Sequence, residues 1–381
     1  MNFLRTGLPV ALFLAMAGNP GASGTAWAGF ETLFNSSKPQ MDTRFPIQDE
    51  ESFKENTKPL HKLPFNDTKL EFSILLPKDW TIENINQEKT SINQDQRLLG
   101  DIILSRSPVV NEAQAILSIQ FISLDREISA ENWLKNYASM SNYSIDGKID
   151  AVSNKRASAY FVFMADGQIT YTYATLQMNR NVAVMMQLKL PPALREPMKF
   201  LQKRVIDSFG LIMATDDPVE TQKFFSFRDA MRFSYPESWL LYYPDLNDIN
   251  NMSVQIHNVT KAGKVEGLIR FVAVRRAPGT KLRDEVAKLK RYFDEFLLID
   301  VKNLVSSNTA SVYDRFIFSR YEVYQVSFRK QGDSVKELRL VMLGDKEWYI
   351  MLFLLAPSEE EDLFSWSRDV QTFDLILGNI R

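Results

Sequence analysis

Chemistry needs reactive side chains in adequate number, and this chain offers few. Its 381 residues include two histidines and no cysteine. His61 lies in a polar N-terminal stretch, and His257 lies in a segment whose pattern predicts a strand. A zinc site of histidine and cysteine is therefore excluded. A Ser-His-Asp triad would have to use His257, and no G-x-S-x-G elbow supplies its serine. His257 reads better as a half-exposed strand residue. Neither a Walker A loop nor a G-x-G-x-x-G fingerprint occurs, so nucleotide binding has no sequence support. The carboxylates have simpler explanations. Glu359, Glu360, Glu361 and Asp362 follow Pro357-Ser358 at a helix start, where negative charge meets the exposed amides and the positive end of the helix dipole. Asp245 and Asp248 offer loop oxygens, but the regular donor spacing and closing glutamate of a calcium loop are missing. A solvated turn is the reading adopted. No catalytic residue, metal ligand or cofactor is assigned. Four residues remain as binding candidates: Tyr242 and Tyr243 as an aromatic contact patch, and Arg275 and Arg276 as receptors for an acidic group. Neighbours on a strand face opposite ways, so neither pair forms one surface if extended.

Composition narrows the partners. Lys plus Arg count 45 against 47 for Asp plus Glu, a net charge of -2, and no long basic block is present. Nucleic acid is excluded as a partner, because a phosphate-binding surface needs concentrated positive charge. A protein partner is expected instead. Residues 1–28 read as a cleavable signal peptide: Arg5 in the n-region, an apolar run over 7–18, and an Ala26-Trp27-Ala28 cleavage site. That run is shorter than the roughly 20 residues that span a bilayer. The expected location is periplasmic or secreted. After cleavage no stretch reaches membrane-spanning length, and the longest apolar run, 348–357, reads as a buried strand. Without cysteine no disulfide can hold an exported fold, so the core alone must stabilise it.

The elements that position these residues come in two sets. Residues 29–68 are polar and aperiodic and predict a flexible leader. A proline-interrupted acidic stretch predicts a linker over 214–226. The intervening domains are expected over 69–213 and 227–381. Each opens with a Phe-Ser strand followed by P-x-x-W, at Phe72-Ser73 with Pro77 and Trp80, and at Phe233-Ser234 with Pro236 and Trp239. Proline ends a strand because it cannot donate to the ladder, and a tryptophan three residues on can cover the core. Each closes with an apolar strand, a proline (Pro191 or Pro357) and a helix-periodic stretch: Leu194, Met198, Leu201, Val205 and Phe209 in one, Leu363, Trp366, Val370 and Phe373 in the other. Between them lie strands near 101–106, 115–124, 157–164, 169–178 and 182–190, and near 253–258, 266–275, 321–329, 337–343 and 348–355. Helices are expected at 129–140 and 280–296, with Ser129 and Thr280 as N-caps. Tight turns at 178–181 and 343–346 imply antiparallel hairpins.

This pattern, recurring with matched ends over 70–212 and 230–380, resembles the PsbP/Mog1 superfamily, which includes DcrB-like periplasmic proteins. The resemblance implies an α+β fold class: two tandem α/β/α sandwiches, each an antiparallel sheet flanked by helices. It also implies a non-enzymatic binding or assembly role, as an envelope scaffold or adaptor. The family has no shared catalytic motif to carry over. Two other function classes are held beside it. One is a carrier of a lipid or small apolar ligand, motivated by 26 Phe and 14 Met. The other is a carboxylate-dependent hydrolase using an inter-domain cleft, with Asp245 and Asp248 as leads.

Overall fold

The computed structural model describes residues 45–86, 90–93, 96–165, 168–227, 231–245, 250–260, 263–310, 316–329 and 335–381. The expected signal peptide and residues 29–44 of the leader lie outside them. The first half carries α1 (Glu50–Asn56), β1 (Thr57–Lys62), β2 (Phe72–Pro77), β3 (Thr81–Asn86), β4 (Thr90–Asn93), β5 (Gln96–Arg106), β6 (Ile116–Leu124), α2 (Ala130–Met140), β7 (Ser144–Ser153), β8 (Arg156–Ala165), β9 (Gln168–Asn179), β10 (Val182–Leu190), α3 (Pro192–Arg195), α4 (Lys199–Asp207) and β11 (Gly210–Leu211). The second carries β12 (Gln222–Phe227), β13 (Met231–Pro236), β14 (Trp239–Asp245), β15 (Asn251–Val259), β16 (Val265–Arg275), α5 (Leu282–Glu295), β17 (Ile299–Asn308), β18 (Phe318–Phe328), β19 (Val335–Gly344), β20 (Trp348–Pro357) and α6 (Leu363–Asn379).

The class is α+β with antiparallel sheets. The large sheet of the first half runs β3-β5-β6-β10-β9-β8-β7, and that of the second runs β14-β15-β16-β20-β19-β18-β17. Alternation explains why both faces of each sheet are apolar. Ile119 and Phe121 of β6 enter one core with Trp80, Phe72 and Val205, while Ile122 and Leu124 enter another with Trp133 and Leu134 of α2. In the second half Ile269, Phe271 and Ala273 of β16 join Trp239 and Phe373, whereas Val274 joins Leu289 and Phe293 of α5. Period-two alternation sends successive side chains to opposite faces, so the central strands β10 and β20, buried on both, read as unbroken hydrophobic runs. Both P-x-x-W tryptophans are buried, Trp80 at 5% exposure and Trp239 at 3%. No helix among the described residues is long and apolar enough to cross a membrane.

Several expectations are corrected. The leader is folded from residue 45 on: Ile47 and Phe53 enter the core of the first half, Asp49 caps α1, and β1 pairs with β2. Two buried apolar residues outweigh the polar surroundings that suggested flexibility. The linker segment is also built in. Val219 is buried, and β12 pairs with β13 from Gln222↔Pro236 to Phe227↔Met231. The closing helix of the first half is two helices, because Pro197 lacks an N–H and interrupts the ladder between α3 and α4. Ser129 caps α2 by accepting from the Asn132 N–H at 3.2 Å. Thr280 does not cap α5, whose N-cap position is Lys281 with no side-chain bond. The acidic run at 359–362 precedes its helix, and Asp362 is the cap, accepting from the Ser365 N–H at 3.0 Å.

Candidate functional site

The four residues singled out from sequence are not brought together. Gln255 of β15 stands opposite both Tyr242 and Arg270, so Arg275 lies five residues farther along β16, about 16 Å at strand rise. Tyr242 is 47% exposed, and its ring packs on His257 with centroids 4.6 Å apart. His257 donates from Nε2 to Gln255 Oε1 at 3.1 Å, and burial lowers its basicity. The side chain of Tyr243 lies outside the described residues, as does Asp248. Asp245 sits at the end of β14. Arg276 is held within its own half: its guanidinium covers Tyr349 at 4.9 Å and donates to the Asp345 carbonyl. Arg275 is exposed at the strand end. Among the described residues no group of His, Asp and Glu is arranged to hold a metal ion.

The densest polar chemistry lies where the two halves meet. Arg126, in the loop before α2, donates to Asn258 Oδ1 and to the Val259 carbonyl, the latter at 3.2 Å. Asn258 in turn donates from Nδ2 to Asp369 Oδ1 at 2.7 Å. Beside them Arg368 donates to Glu266 at 3.0 Å and to Ser365 at 3.2 Å. Asn136 of α2 donates to Ser367 of α6 at 3.4 Å. The chain between the halves is pinned too. Glu127 accepts from the Val219 N–H at 2.7 Å and from Lys155 at 3.5 Å, and Glu220 accepts from the N–H groups of Glu127 (3.1 Å) and Ser238 (3.2 Å). Apolar contacts complete the seam, for Val219 and Phe364 pack into the core under α2.

Within this seam Asp369 and Asn258 are both at 0% exposure. Burial pushes the Asp369 carboxyl up to about 7, against the downward pull of the Asn258 hydrogen bond and of Arg368 and Arg126; Glu266 adds to the rise. Its Oδ2 has no hydrogen-bond partner among the described residues. Gly267 is the reason the carboxylate fits, because a Cβ there would lie 2.4 Å from Oδ2. Sequence reasoning missed this cluster. A glycine inside the alternating strand β16 was its one visible signal, since such a glycine marks a close approach of another group to the backbone.

Two other surfaces have defined character. On the second half Phe296, Val301, Leu304 and Val305 are 72%, 49%, 52% and 60% exposed. Val301 and Leu304 stand opposite Val326 and Tyr324 of β18, on the face that α5 covers, and Phe296 stacks on Tyr292 at 5.6 Å. On the first half a cavity of about 60 Å³ is lined by Phe45, Pro77, Trp80, Pro108, Leu194 and Met198, among others.

No protein-family profile and no curated protein matches the chain. Solved structures do show likenesses. The chain is similar to the Ran-binding protein Mog1p of Saccharomyces cerevisiae, at 7% identity and a TM-score of 0.30 over 42% of this chain and 95% of that one. A cyanobacterial PsbP from Synechocystis is similar at 15% identity and a TM-score of 0.23, over 41% and 92%. The immunity protein TplEi of the T6SS of Pseudomonas aeruginosa is similar at 12% identity and a TM-score of 0.22, over 81% and 94%.

Proposed function

We propose that the protein is an exported, non-enzymatic binding or scaffold protein made of two PsbP/Mog1-like α/β/α sandwiches, one repeated after the other. The observation that carries this reading is the exposed apolar surface of Phe296, Val301 and Leu304 beside α5. Apolar surface gathered on one edge of a sheet is a usual mark of a protein-binding site. Edge strand β17 adds backbone donors and acceptors for an extended partner segment. The shared strand order of the two large sheets supports the repeat. The N-terminal signal pattern supports export to the periplasm or medium. Capture from an envelope extract with the mature protein is expected to retain a specific protein that the Phe296→Ser, Leu304→Ser double variant loses. Equal capture by both would retire the band as the binding surface.

The carrier reading finds no room beside Trp80. A dry cavity of about 150 Å³ takes one benzene ring, so the 60 Å³ beside Trp80 holds no lipid tail. Native mass spectrometry is expected to find the purified protein free of lipid, and a stoichiometric co-purified lipid would revive that reading.

A further inference from the structure

We propose that the Arg126–Asn258–Asp369 relay makes closure of the first half on the second respond to protons, tight in acid and loosening towards neutral pH. This goes beyond the binding reading and does not depend on it. The geometry is that of a carboxyl group with no route to water while the seam is shut. Asp369 lies on α6 with the Gly267 backbone against one side, so close that no other side chain fits. Asn258 occupies one carboxylate oxygen, and the second has no partner among the described residues. The first half completes the enclosure. Arg126 ties up the remaining Asn258 oxygen and the next carbonyl, and Asn136 of α2 meets Ser367 two residues before Asp369.

The charged groups acting on Asp369 are few. Arg126 reaches in from the first half, Glu266 from β16 and Arg368 from α6 itself, where it is paired with that same Glu266. Asn258 from β15 and Asn136 from α2 are neutral. Arg126 and Arg368 both favour an ionised Asp369, but the cost of desolvating a carboxylate at 0% exposure outweighs them, and the net effect of the site still favours the neutral acid. Opening the seam withdraws Arg126 and admits water, which returns the carboxyl toward its ordinary value. The sign follows by linkage. Below about pH 4 both forms hold the proton, and closure is indifferent to pH. Between about 4 and 7 the closed form keeps a proton that the open form has released, so each unit rise in pH opposes closure by up to about tenfold. Asn258 donates towards Asp369 and accepts from Arg126, so the site can hold the seam shut without a negative charge.

The chain has no cysteine, so introduced thiols are unique labels. Spin labels at Val152→Cys in β7 and Lys290→Cys in α5, both exposed, report the distance between halves by pulsed electron resonance. The expected wild-type result is one narrow distribution at pH 5 and a second, longer component at pH 8. In Asp369→Asn the narrow distribution is expected at both pH values. In Arg126→Gln, which keeps the acid and removes the crossing cation, the longer component is expected already at pH 5. Identical wild-type distributions at pH 5 and 8, a full pH response in Asp369→Asn, or an unchanged Arg126→Gln would each overturn the relay.

Discussion

Helices α2 and α5 hold the same place in the two halves, each following the third strand of its large sheet and preceding an edge strand, yet they meet different surroundings. The face of α2 turned from its sheet is covered by α6 of the other half, so Asn136 is buried although it is polar. The corresponding face of α5 carries Arg283, Lys290, Arg291 and Glu295 in the open, and beside it stands the uncovered band at Phe296 and Leu304. The difference teaches that similar scaffolds can divide their work by what covers them. One helix position joins the halves, and the other stays exposed.

The strongest way to break this asymmetry is to overfill the joined side. Gly267→Ala places a methyl carbon 2.4 Å from the Asp369 carboxylate. A loss of about 3 kcal/mol is expected in urea denaturation, since an overpacked core must shift backbone or eject a buried group. A midpoint equal to wild type would mean that α6 does not seat as described.

The next effect is on pH dependence. Folded Asp369 keeps its proton up to about pH 7, whereas an unfolded chain releases it in the ordinary carboxylate range. Its contribution is therefore most favourable below about pH 4 and is lost as pH rises through 7. The folding equilibrium is expected to weaken by up to about tenfold for each pH unit across that window. Chemical denaturation of Asp369→Asn at pH 4 and pH 8 should lose that slope. Arg126→Met, which removes the crossing donor and leaves Asn258 Oδ1 without it, is expected to cost about 1.5 kcal/mol. The same change at Arg291, on the bare side, is expected to leave the thermal midpoint in place. The smallest effect sharpens the contrast within α6 itself. Gly378→Ala meets no atom within 4 Å and is expected to gain about 0.5 kcal/mol from helix propensity, read as a small rise in the same midpoint.

Legibility followed burial. Strands with apolar faces, such as β6, β10, β16 and β20, were visible in sequence because period-two or unbroken apolar runs record what a sheet covers. The edge strands β7 and β17 were not, because nearly every residue of both is exposed and an uncovered strand leaves no alternation to read. The helix α2 was found with its cap and its buried Trp133, whereas the split at Pro197 and the cap of α5 were misjudged, since a single residue decides each. Of the candidate site almost nothing was legible. Tyr242 and Arg276 attracted notice as conspicuous types, while Asn258 and Asp369 look like any polar residues between apolar ones.

The sequence by itself determined which segments pack, the closing prolines, the two buried tryptophans and the absence of cysteine chemistry, because each of these is a local property of spacing and composition. Tertiary structure alone decided that the leader and linker join the cores, that α2 is covered while α5 stays bare, and that a carboxyl on α6 is sealed by an arginine 243 residues earlier in the chain. The physical reason is that desolvation depends on everything that surrounds a group, and its surroundings here come from the other half of the molecule.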